Sequence, residues 1–152
     1  MNKEIEIFRT EIRKYDSEFK ALGYSLYEEK TYNPDHLEHI FYEIKYSNHY
    51  KIITFDFYPS TTQLCTNQIL AYITFNSMSF GISEYLAYTK LQRKLRFGDA
   101  DPYRFIIDSE NLEKSISQGL SQIFELFLGE LKKYLTTDEW ISIPMHDPRD
   151  DY

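Results

Sequence analysis

Two carboxylates, Glu43 and Asp56, stand on either side of the turn sequence Asn48-His49, in stretches rich in Tyr, Ile and Phe. With a two-residue hairpin loop at Asn48-His49, Ser47 pairs with Tyr50. Glu43 then lies opposite Thr54 and diagonal to Asp56, near enough for the two carboxyls to couple. Coupled carboxyls can divide acid and base roles, as in glycoside hydrolysis. On a solvated strand the same pair is ordinary surface charge. His39 and Tyr72 fall on the same expected face.

The other chemistry-bearing residues form weaker patterns. His36-Leu37-Glu38-His39 has the look of a metal cluster, but at a strand start residues 36 and 39 point to opposite faces, and zinc would need further ligands. Cys65 is the one cysteine; it cannot close an intramolecular disulfide, and as a nucleophile it would need a neighbouring base. The five glycines, at 23, 81, 98, 119 and 129, are scattered and form no phosphate-binding loop. Lys90, Arg93, Lys94 and Arg96 could grip an anion, yet cations in the last turn of a helix also complement its dipole. No catalytic residue, metal ligand or cofactor is assigned on these grounds.

The elements that must position Glu43 and Asp56 follow from periodicity. Ile5, Phe8, Ile12, Tyr15, Phe19 and Leu22 recur at steps of three and four and form one face of an N-terminal helix, with Gly23 as its stop. Turn residues then separate strands expected at about 24–32, 37–47, 50–58 and 68–76. The hairpin register aligns Ile44 with Ile53, Tyr42 with Phe55 and Ile40 with Phe57 on one face. Ile69, Ala71, Ile73 and Phe75 extend that face, while Phe41, Glu43, Lys45, Ile52, Thr54, Asp56 and Tyr72 take the other. A one-residue slip would bury Asp56 among apolar side chains, at a cost that disfavours it.

After Gly81, Ser83 can cap a helix running to about Arg96, and residues 103–107 can form a short strand. A long helix follows from Asp108 or Ser109, with Leu112, Ile116, Leu120, Ile123, Phe127, Leu131 and Tyr134 as its stripe, widened by Phe124, Leu128 and Leu135. The expected fold is α+β: an N-terminal helix, an antiparallel β-meander of about four strands, then two C-terminal helices packed on one face of the sheet. Residues 1–152 read as a single globular domain, with 144–152 an irregular acidic tail. A chain of this length can bury roughly 68–70% of its unfolded surface, so its core needs no disulfide or metal.

Net charge is -7, and residues 98–152 hold twelve Asp and Glu against five Lys and Arg. That balance disfavours nucleic acid and anionic membranes and steers basic proteins inward. No apolar run is long enough for a membrane span and the start lacks the apolar core of a signal peptide, so a cytoplasmic location is expected. Fourteen tyrosines exceed what a core absorbs readily, and Tyr27, Tyr72, Tyr88 and Tyr103 are expected at the surface. Aromatic rings among carboxylates suit a protein-binding face. The resulting expectation is a noncatalytic module binding a basic protein, most specifically an immunity-type inhibitor of a basic toxin or nuclease. Glu43, Asp56 and Tyr72 would make the contacts, with Asp147, Asp150 and Asp151 as a second patch. The alternatives are a homo-oligomeric small-ligand-binding or hydrolytic domain with a Tyr-lined pocket, and a self-associating structural protein that uses the outer sheet face as a homodimer interface.

Overall fold

The computed structural model describes residues 2–32, 40–59, 67–89, 105–107, 109–141 and 143. His36, His39, Cys65, the Lys90–Arg96 cluster, Tyr103 and the tail with Asp147, Asp150 and Asp151 lie outside the described residues.

The N-terminal stripe folds as two helices rather than one, α1 (Lys3–Arg13) and α2 (Asp16–Ala21). Asn2 caps α1 by accepting from the backbone N–H of Glu4 and Ile5. Between the helices the N–H groups of Lys14 and Tyr15 reach back only three residues, tightening the turn. The apolar face survives this break: Ile5, Phe8, Ile12, Phe19 and Leu22 are all buried. At the end of α2, Gly23 adopts φ +91°. Its N–H bonds the Lys20 carbonyl and that of Tyr24 bonds the Phe19 carbonyl, a Schellman stop that only a residue tolerant of positive φ makes without strain.

The sheet is an antiparallel meander of β1 (Ser25–Tyr32), β2 (Phe41–Ser47), β3 (Lys51–Tyr58), β4 (Asn67–Phe75) and β5 (Met78–Gly81), in that spatial order. After α3 (Ile82–Thr89), the short β6 (Phe105–Ile107) returns to β4. β5 pairs with residues 72–75 of β4 and β6 with residues 67–69, so two short strands share one edge. β5 was not expected from sequence. Its signal is the dipeptide Asn76-Ser77 between the paired Phe75 and Met78, where Asn76 takes φ 57° as asparagine tolerates.

The β2–β3 register corrects the expected one by two residues. Ser47 pairs with Ile52, Ile44 with Phe55 and Tyr42 with Phe57. Asn48 causes the change. Its side-chain oxygen accepts from the N–H groups of Tyr50 and Lys51, and its own N–H bonds the Lys51 carbonyl, so the turn is centred on His49-Tyr50. A shift of two preserves faces. Tyr42, Ile44, Tyr46, Ile53, Phe55, Phe57, Ile69, Ala71 and Ile73 accordingly form the buried inner face.

Over that face lies α4 (Leu112–Leu128), preceded by a 3₁₀ turn (Ser109–Asn111) and followed by α5 (Lys132–Thr136). The expected single helix ends at Gly129, where the backbone leaves the helical region (φ -103°, ψ -111°) in a conformation that would bring a Cβ to 2.9 Å from the Glu125 carbonyl. Leu128, expected in the stripe, is exposed instead, while Phe124, Leu131 and Leu135 are buried. Aromatic stacking joins helix to sheet, Phe8 on Phe57 at 4.7 Å and Phe19 on Tyr46 at 3.7 Å, and the N-terminal helices to α4, Tyr15 on Phe124 at 4.0 Å. Residues of α3 and β5, including Ile82, Tyr85, Leu86 and Phe80, belong to the same core.

Candidate functional site: a carboxyl pair on the outer sheet face

On the face away from the helices, the corrected register sets Glu43 of β2 directly opposite Asp56 of β3. Tyr72 of β4 is opposite Thr54, hence diagonal to Asp56. Its hydroxyl lies 3.3 Å from both Glu43 Oε2 and Asp56 Oδ2, bridging the pair. Two residues close the other side of Glu43. The Tyr32 hydroxyl donates to Oε1 at 3.2 Å, and Lys45 Nζ stands 3.5 Å from the same oxygen. Tyr32 belongs to β1, whose bulge between Leu26 and Glu28 resets its alternation, so Lys30 and Tyr32 face outward with Glu43 and Phe41. Nothing local in the sequence reveals that bulge, which is why Tyr32 was absent from the expected site.

Glu43 and Asp56 are buried, at 9% and 6% exposure, although they sit on the polar face. Thr54 and Gln68 beside them are buried too. At one end the rings of Tyr32, Phe41 and Tyr58 stack in a row, with centroids 4.5 and 5.0 Å apart. Burial, the hydrogen bond with Glu43 and the Glu43 charge push the Asp56 carboxyl up to about 8. Burial opposes ionisation of Glu43 as well. The hydrogen bond from Asp56, the Lys45 charge and the Tyr32 hydroxyl outweigh it and hold Glu43 below the usual glutamate value. At neutral pH the pair therefore carries one proton, on Asp56, and one negative charge, on Glu43. Asp56 Oδ1 is buried without a hydrogen-bond partner among the described residues. Burial and the two carboxyls also push the Tyr72 hydroxyl upward, so it stays a neutral donor.

Of the expected contact residues, Glu43, Asp56 and Tyr72 converge more closely than their spacing implied. Tyr27 and Tyr88 are exposed as expected, whereas Tyr72 is half-buried. Elsewhere, a groove of about 540 Å³ between α1 and the start of α4 is lined by residues of both signs, Glu11, Lys14, Glu110, Glu113 and Lys114 among them. It lies on the helical layer, away from the carboxyl pair. Among the described residues no group of three or more His, Cys, Asp or Glu converges to hold a metal ion, and no helix is long and apolar enough to cross a membrane. No protein-family model, curated protein or solved structure matches the chain.

Proposed function

We propose that the chain is a noncatalytic protein-binding module whose outer sheet face receives a cationic side chain of a basic partner. Its narrowest form is an immunity-type inhibitor of a basic toxin or nuclease, with carboxylates standing where phosphates would bind. The observation that carries the reading is the buried, directly opposed carboxyl pair Glu43–Asp56, framed by Tyr32, Tyr72 and Lys45. A guanidinium reaching this pair meets one carboxylate already charged and a second that ionises by releasing its proton, so the site gains a full charge on binding. The net charge of -7 supports attraction of a basic protein at long range.

The test is capture of the partner from the native cell at low salt, followed by calorimetry on the purified pair in buffers of different ionisation enthalpy. Binding should weaken with salt and release a proton near pH 7. Glu43→Gln should weaken it by roughly 30-fold or more, the cost of losing a buried charge partner. Asp56→Asn should abolish the proton release. A partner that binds both folded variants with the affinity and proton release of the wild type would overturn the assignment.

A second reading, a small-ligand-binding or hydrolytic domain, is favoured by one feature of the same pair. A protonated Asp56 beside an ionised Glu43 is the acid and base division that hydrolytic sites use. A small molecule retained by the purified protein in native mass spectrometry, and lost in both variants, would transfer the assignment to this reading.

A further inference from the structure

The sheet's two edges are treated differently. One is shared by β5 and β6, and the other is β1, eight residues long and paired only with β2 among the described residues. Its outward backbone groups form an open template, and Leu26 and Tyr27 are exposed along it, at 38% and 61%. The charges on this edge have an order of their own. Glu28 and Lys30 both stand on the outer face, opposite Lys45 and Glu43 of β2, so they alternate in sign two residues apart on one side of the strand.

We infer that β1 pairs antiparallel with β1 of a second copy, about a two-fold axis through Glu29, to give a continuous sheet across the dimer. Two-fold symmetry requires some residue to face its own copy, and it keeps faces matched, so candidate registers differ only in which residue that is. Centred on Glu28 or Lys30, the pairing would set like charges directly opposite each other on the outer face and form no opposite-sign cross-strand pair. Centred on Glu29, it brings Glu28 against Lys30 of the second copy and Lys30 against its Glu28, two opposite-sign cross-strand pairs. Glu29 then meets its own copy on the inner face, where each is already held by guanidinium groups: Arg9 at 2.5 Å and Arg13 at 3.3 Å. The axis therefore crosses a cluster in which arginines offset the two carboxylates.

The geometry has a functional consequence. An axis perpendicular to the sheet leaves both helical layers on one side and both Glu43–Asp56 pairs on the other. Lys30 is the cross-strand neighbour of Glu43, so each carboxyl pair sits near the seam. The dimer would present two such sites on one continuous face.

Sedimentation of the full chain tests the register through its charges. The wild type should sediment at twice the 18.3 kDa chain mass and dissociate with added salt. Glu28→Lys alone sets Lys against Lys across the seam, and Lys30→Glu alone sets Glu against Glu, so each variant should be monomeric with an unchanged circular dichroism spectrum. Mixed together, these variants regain both opposite-sign pairs and should form a heterodimer. A monomeric wild type, a single variant that remains fully dimeric, or a mixture that stays monomeric would each overturn the proposal.

Discussion

Asp56 keeps its proton at neutral pH because burial penalises its charge and Glu43 beside it already bears one. The consequence for stability has a definite sign. An unfolded aspartate titrates near 3.9 and the folded one at about 8, so between these values the folded chain holds a proton that the unfolded chain has released. Stability through this group thus falls as pH rises from about 4 to about 8 and is flat above. Glu43 works the other way, contributing stability that is lost as acid pH reaches its lowered folded value. Asp56→Asn carries the neutral form at every pH. Its advantage over wild type should grow from about pH 5 to about pH 8, by no more than about 1.4 kcal/mol per unit for one proton. Urea unfolding at several pH values measures this, and parallel curves for the two proteins would refute the shared proton. Lys51 shows how differently a buried charge can be used. At 1% exposure on the inner side of the sheet, its ammonium donates to the carbonyls of Tyr134, Thr137 and Glu139, under the rings of Phe75 and Trp140. Burial pulls its pKa down while Asp138 and Glu139 oppose that pull. Lys51→Met retains the apolar stem and removes the donors, and should cost on the order of 2–3 kcal/mol. Hydrogen exchange should show the loss first in α5 and the residues just after it, because the lost bonds end there; uniform loss across the sheet would contradict this role.

At the scale of elements, the structure is punctuated by glycine and asparagine at three places where a side chain or a φ angle decides. Gly129 ends α4, and Gly129→Ala drives a methyl to 2.9 Å from the Glu125 carbonyl. The turn into α5 must then open, at about 1–3 kcal/mol by the usual cost of overpacking. Gly23→Ala meets no atom within 4 Å yet must hold φ +91°, so about 1 kcal/mol of conformational strain is expected instead. Thermal melts of the two variants test this ordering, with Gly129→Ala the less stable. Asn48 is the third. Its side chain replaces a backbone acceptor for two N–H groups and so chooses the β2–β3 register. Asn48→Ala should lower stability by about 1 kcal/mol. Periodicity alone could not see these choices. The helical stripes run straight through the breaks at Lys14-Tyr15 and Gly129, because the same face stays buried on both sides. In the hairpin a shift of two residues leaves every face as it was.

For the whole molecule, one core joins the helices to the inner face of the sheet, while the outer face concentrates the buried carboxyl pair and, among the described residues, one edge has no further strand beside it. The helix-meander-helix order, the inner and outer faces of β2, β3 and β4, and the grouping of Glu43, Asp56 and Tyr72 are legible from the order of residues alone. These are local properties, carried by periods of 3.6 and 2 that any window of the chain displays. That Glu43 opposes Asp56 directly, that Tyr32 and Lys45 enclose them, and that a face read as polar is sheltered enough to keep a proton on Asp56 emerges from the folded arrangement. Register depended on one side chain in a turn, and alternation in β1 on a bulge. Desolvation depended on what neighbouring strands place alongside. Burial and charge coupling sum over atoms distant in the chain, so the acidity of a carboxyl belongs to its surroundings rather than to its position in the sequence.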